Sequence, residues 1–203
     1  MSSRVRRPTL LGMLRLAALP LLLLPAVALA QAPAHPAPRG AEARKAELDR
    51  LFEALKAAPD EAGAALVETR IRMLWAQEAS PAVTLLLRRG MRNMEADLPE
   101  EALEDFDAAI ALAPDHAEAW HLRAQANARV GDFEAAARDL QEVLRLEPRH
   151  WLALLTLSSI QKERGDPAAA LRSLKAALEI DPKMPGGAEK LRELRREAEG
   201  DAT

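Results

Sequence analysis

From Ala41 onward, apolar residues recur every three or four positions with polar residues between them. That is the period of helices that each lay one face on a core. Leu48, Leu51, Phe52 and Leu55 form one stripe within a helix predicted over Ala41 to Ala57, and Leu66, Val67, Ile71, Leu74 and Trp75 form a second within Asp60 to Glu78. Ala58-Pro59-Asp60 separates the two, because proline disfavours a helical residue before it. Beyond these the pattern repeats itself. GDFEAAARDLQEVLRLEP (Gly131 to Pro148) has a near-copy in GDPAAALRSLKAALEIDP (Gly165 to Pro182), 34 residues on at every matched place. EEALEDFDAAIALAP (Glu100 to Pro114) lies one further period back, with Asp97-Leu98-Pro99 in place of the Gly-Asp turn.

The repeating units run Val83 to His116, Ala117 to His150 and Trp151 to Met184. Gly131 and Gly165 allow the positive φ that ends one helix and reverses the chain. Asp132 and Asp166 are placed to accept from the free N–H groups of the next helix, and Pro148 and Pro182 stop it. A hairpin of this size cannot bury its apolar stripes alone, so neighbouring units must stack into an all-α solenoid. The segment 41–82 is expected to act as a degenerate hairpin capping the N-terminal end. After Pro185-Gly186-Gly187, AEKLRELRREAEG has only Leu191 and Leu194 as large apolar residues and is expected to cover the last unit over 185–203.

The second unit carries AEAW (Ala117 to Trp120), then Gly131-Asp132, Ala136 and Pro148, and with Ala124, Leu140 and Val143 it resembles a tetratricopeptide repeat. The first and third units match less fully, with Leu86 and Leu154 standing where the second has Trp120. The resemblance covers about half the chain and implies a right-handed solenoid of helical hairpins. Asn93 and Asn127 depart from it, standing where the family has a large aromatic, and looser packing between paired helices is expected there.

The resemblance also implies a concave groove lined by the first helix of each unit, which takes a peptide or a helix. By register, the groove residues are Leu87, Met91 and Met94 in the first unit, His121, Gln125 and Arg129 in the second, and Leu155, Ser159 and Lys162 in the third. The family members that grip a C-terminal carboxylate do so with a cluster of Lys, Arg and Asn. Those places hold Leu87, Met91, Leu122, Leu152 and Thr156, so that clamp is absent. A protein or peptide partner held in a partly apolar groove is expected.

One pair of repeat positions reports on internal structure. The seventh place of each unit holds Arg89, Arg123 and Leu157, and the twenty-third holds Asp105, Asp139 and Ser173. These places face each other across an antiparallel hairpin. Arg and Asp occur together twice and disappear together once, which predicts structural ion pairs Arg89–Asp105 and Arg123–Asp139 rather than a row of ligand-binding arginines.

The start of the chain changes the picture of where the protein works. Arg4, Arg6, Arg7 and Arg15 precede LAALPLLLLPAVALA (Leu16 to Ala30), and no acidic residue occurs before Glu42. A basic start, a short apolar run and a small-x-small ending form an export signal cut after Ala30. Pro20 and Pro25 interrupt a run already too short for a membrane span. QAPAHPAPRG (Gln31 to Gly40) then reads as a Pro/Ala-rich tether. Export to the periplasm of a Gram-negative bacterium is expected, with no stable membrane insertion after cleavage. The absence of Cys excludes both disulfides and a lipoprotein signal.

Removal of the leader takes four of the 28 basic residues and none of the 31 acidic ones, leaving 24 against 31 and a mature charge near −7. An acidic chain without a basic block argues against nucleic acid. Catalytic signatures are missing as well: there is no HExxH, GxSxG, phosphate loop or dinucleotide fingerprint. His116 and His150 share a loop place in successive units, so the repeat spacing holds them apart, and neither a metal nor a cofactor is expected. The reading is a non-catalytic interaction adaptor. The alternatives are an enzyme or enzyme subunit acting on envelope polymers through acidic residues, and an architectural protein that self-associates.

Overall fold

The computed structural model describes residues 39–200, which form nine α-helices and no strand. They are α1 (Arg39–Lys56), α2 (Glu61–Ala76), α3 (Pro81–Glu95), α4 (Pro99–Leu112), α5 (Ala117–Arg129), α6 (Phe133–Leu146), α7 (Trp151–Glu163), α8 (Pro167–Ile180) and α9 (Gly187–Glu199). The leader and all but the last two residues of the tether lie outside the described residues; Arg39 and Gly40 already belong to α1. Among the described residues no helix is long and apolar enough to cross a membrane.

The three repeats are the hairpins α3–α4, α5–α6 and α7–α8, stacked α4 on α5 and α6 on α7, with α9 against α8. Local chemistry sets each turn. Gly131 and Gly165 stand at φ of 82° and 76°, and Asp97, their counterpart in the first unit, takes φ of 59° without glycine's freedom. The Asp132 and Asp166 carboxylates accept from Ala135 N and Ala169 N, both at 2.8 Å. In the N-terminal hairpin, Asp60 does the same for Gly63 N at 2.8 Å.

Small residues let paired helices meet. Ala102, Ala136 and Ala170 recur at one repeat position and each is fully buried. Opposite them the units differ in a correlated way: Gly90 faces Phe106 in the first, whereas the second has Ala124 and Leu140 at the same two places. A Cβ on Gly90 would fall 2.4 Å from the Phe106 ring, which is closed in by the buried core. Gly90→Ala is therefore expected to cost about 2 kcal/mol through overpacking, despite alanine's better helix propensity. Adding Phe106→Leu, which copies the second unit, should recover most of that loss in a thermal melt.

The N-terminal hairpin does not cap the first unit. α2 and α3 are joined by Gln77 to Ser80 yet do not pair along their lengths. Leu48, Phe52, Leu55, Ile71, Leu74 and Trp75 instead form one core with Trp151, Leu174, Ala177, Met184 and Leu194 of the third unit and α9. The Phe52 ring meets Trp151 edge-on at 6.2 Å, and Arg149 donates to Asp49 at 2.7 Å while its guanidinium covers Phe52. The physical reason lies in the third unit. It presents Trp151, Leu152, Leu154 and Leu155 in succession, more apolar surface than one stacked neighbour can cover, and the two stripes of α1 and α2 cover it.

Candidate functional site

The Arg–Asp positions come together across the hairpins. Arg89 Nε donates to Asp105 Oδ1 at 2.6 Å; Arg123 Nε and Nη2 donate to Asp139 at 2.9 and 2.6 Å as a two-pronged pair. Both carboxylates are buried. Asn93 and Asn127 do not leave loose packing as expected. Asn93 Nδ2 donates to Asp105 Oδ2 at 3.1 Å and Asn127 Nδ2 to Asp139 Oδ2 at 3.0 Å, so each completes the carboxylate's partners. The third unit uses a neutral version: Ser173 Oγ donates to Gln161 Oε1 at 2.7 Å beside Leu157. Sequence reasoning missed this third member, although Asn93, Asn127 and Gln161 sit at one repeat position and change with the other two. These arginines hold hairpins together and do not form a ligand row.

The nine groove positions are not one free surface. Leu87 is buried and Met91 half-exposed beside α2, whereas Met94 packs into the first unit's core. Arg129 reaches back to Asp97 at 2.7 Å. Leu155 packs into the core that the third unit shares with the N-terminal hairpin and α9, and α9 covers the far end, where Lys162 Nζ bonds Glu193 at 2.5 Å near Ser159. Gln125 is half-buried and points to His121 at 3.1 Å. Thus α2 lies across the positions that would receive a partner. What remains open is an apolar cleft of about 260 Å³ between α2, α3 and α5, lined by Trp75, Leu87, Met91 and Leu122 with Glu118 at its edge.

Beneath α2, three groups meet whose positions along the chain carry no sign of the meeting. Trp75 stacks on His150 with centroids 4.6 Å apart and planes within 6°. His150 lies edge-on to His121 at 4.8 Å, and Glu118 Oε2 sits 3.3 Å from His150 Nε2 and 3.6 Å from His121 Nδ1. Two histidines and a carboxylate at this range suggest a divalent metal such as zinc. The chemistry of the donor set speaks against it. His150 Nδ1 accepts the Ala153 N–H that caps α7, at 3.1 Å, so a neutral ring must carry its proton on Nε2. That nitrogen donates to Glu118 and has no lone pair to give a cation. The cluster is a hydrogen-bonded joint between the second and third units.

Burial would raise Glu118, but the hydrogen bond from His150 and the close approach of the His121 ring outweigh it and hold its carboxyl well below the usual range. Burial lowers His150, with Glu118 only partly opposing it. A depressed histidine stabilises the fold above its ordinary value of about 6.5 and weakens it as pH falls below that.

A second polar contact lies under α2. Glu68 faces Asp181 at the end of α8, and each has a buried side-chain oxygen without a hydrogen-bond partner among the described residues. Burial and then Glu68 push Asp181 up to about 7. The sign is opposite to that of His150: protonated Asp181 stabilises the fold below about pH 4, and this contribution fades as pH rises to about 7. The Asp181→Asn variant should therefore gain melting temperature relative to the parent between pH 4.5 and 7, with a level difference above pH 8. A constant difference across the range would show that Asp181 does not titrate there.

The family profile described as tetratricopeptide repeat matches residues 87–150, and a second profile of the same description matches 124–185. A TPR repeat-containing protein of Rhizobium etli is 36% identical over 89 residues, which is 44% of either chain, so this chain spans less than half of that relative. The first TPR of Spaghetti (RPAP3) bound to the HSP90 peptide SRMEEVD superposes with a TM-score of 0.56 at 17% identity, covering 60% of this chain and 96% of that one. The TPR2B domain of yeast Sti1 in its pHsp70 complex gives 0.54 at 23% identity, covering 59% and 98%. The Yersinia enterocolitica type III secretion chaperone SycD with a peptide of the translocator YopD gives 0.52 at 15% identity, covering 60% and 92%. At these identities the likeness is one of fold. With three 34-residue hairpins in register and the family profile over 87–185, this chain belongs to the tetratricopeptide-repeat family.

Proposed function

We propose that this protein is an exported, non-catalytic interaction adaptor of the bacterial envelope, which holds a helix or extended segment of a protein partner in its concave groove. The observation that carries this reading is the apolar cleft beside α2, where Met91 is exposed and Leu87, Leu122 and Trp75 form the walls. Anchoring one or two apolar side chains in such a cleft is how grooved helical proteins recognise peptides, and methionine adapts to the anchor's shape. The most polar part of the interior, by contrast, is used up in holding elements together: Asp105 and Asp139 by Arg and Asn, Glu118 by His150. Export rests on the basic-apolar leader, and cleavage would leave a chain beginning at Gln31, readable from its intact mass.

Photo-crosslinking in envelope extracts tests the groove. A crosslinker at Met91 should trap a discrete partner, and one at Arg138, exposed on α6, should not. Equal adducts from both places would exclude the groove as the binding site.

A further inference from the structure

The groove's own occupant describes the ligand that would fit it better. α2 presents Ile71, Leu74 and Trp75 at i, i+3 and i+4, all buried in the core that the hairpin shares with the third unit, where Trp75 meets His150 and Trp151 directly. The helix is held to the third unit by side chains, Trp75 lying on His150 and Trp151. It connects to the repeats only through Gln77 to Ser80, and it does not pair with α3. A hairpin so attached can swing away and leave the cores of the first two units intact.

Its fit is imperfect at one identifiable place. One helical turn before Ile71, Glu68 sets a carboxyl group against Asp181, which is 0% exposed. Asp181 Oδ1 accepts from Lys183 N at 3.3 Å, while Oδ2 and Glu68 Oε1 are buried without partners among the described residues. Two carboxyl groups in contact away from water cannot both be ionised without strong repulsion. A cation in place of Glu68 would satisfy Oδ2 and turn the repulsion into an ion pair.

We propose that α2 is an internal stand-in and that the groove's partner is an amphipathic helix with a Lys or Arg three places before its first apolar anchor, which displaces the α1–α2 hairpin. Apolar anchors at the places of Ile71, Leu74 and Trp75 supply the area, and the basic residue supplies the preference over the chain's own segment. The inference rests on the groove being the binding site, and it adds the partner's chemistry and the need to open.

Labelled peptides copying residues 60–79 test it, one with Glu at the position of Glu68 and one carrying E68K, titrated by fluorescence anisotropy against the full chain. The E68K peptide should bind about tenfold tighter or more. Asp181→Asn in the full chain should erase that advantage, since Asn keeps the acceptor for Lys183 N and loses the charge. The chain that itself carries Glu68→Lys should melt higher and bind either peptide about tenfold more weakly. Binding should also speed hydrogen exchange in α1 and α2 and leave that of α5 and α6 unchanged. Equal binding of the two peptides would overturn the charge rule while leaving a groove-binding adaptor standing. Binding without faster exchange in α1 and α2 would overturn displacement. Failure of both peptides to bind would overturn the stand-in itself, and crosslinking at Met91 would still report separately on the groove.

Discussion

Arg123→Ala is expected to destabilise the chain by about 3 kcal/mol, lowering the melting temperature by about 10 °C. The cost comes from what the substitution leaves behind. Asp139 is 4% exposed and receives three hydrogen bonds, two from Arg123 at 2.6 and 2.9 Å and one from Asn127 at 3.0 Å. Without the guanidinium, a buried carboxylate keeps a single neutral donor. The third unit shows how the same place is built without charge, with Leu157, Ser173 and Gln161. Arg123→Leu with Asp139→Ser and Asn127→Gln copies that set into the second unit and removes the stranded charge with its partner. It should lose about 1 kcal/mol, the remainder reflecting contacts Arg123 makes with the exposed Asp107 and with the Trp120 ring. Equal losses for the single and triple variants in thermal melts would mean that the pair contributes through packing alone.

Residues that recur every 34 places are legible in the sequence, because each copy solves the same local problem. The turns at Gly131 and Gly165, the caps at Asp132 and Asp166 and the Arg–Asp pairs follow from that recurrence. Asn93 and Asn127 belonged to the same signal, but comparison with the family's aromatic hid their relation to Asp105 and Asp139. The candidate site was less legible for a different reason. Periodicity states that Ile71, Leu74 and Trp75 are buried, and it carries no information about which surface covers them. His121 and His150 are far apart in sequence and meet because the stacking of α5 and α7 brings a helix face onto a loop. A feature outside the repeat has no second copy to check it against, and the hairpin's place in the groove is such a feature.

Trp75→Ala is expected to release the N-terminal hairpin with the repeats intact. Trp75 stacks on His150, meets Phe52 at 6.2 Å and Trp151 at 5.3 Å, and so joins both helices of the hairpin to the third unit. Truncating a buried Trp costs about 3–5 kcal/mol from lost contact area and the cavity that remains. Where that cost falls depends on connectivity. Because α2 does not pair with α3, the lost contacts touch the second unit at His150 but leave in place the cores of the first two units, formed by Val83, Phe106 and Ile110 and by Ala124, Leu140 and Val143. The loss should appear as local opening of α1 and α2 before global unfolding. Native-state hydrogen exchange reads this directly: amides of α1 and α2 should exchange about 100-fold faster, equivalent to nearly 3 kcal/mol, with those of α5 and α6 unchanged. Uniform acceleration through all the helices would make the hairpin an integral part of one cooperative fold, with no separate open state for a partner to select.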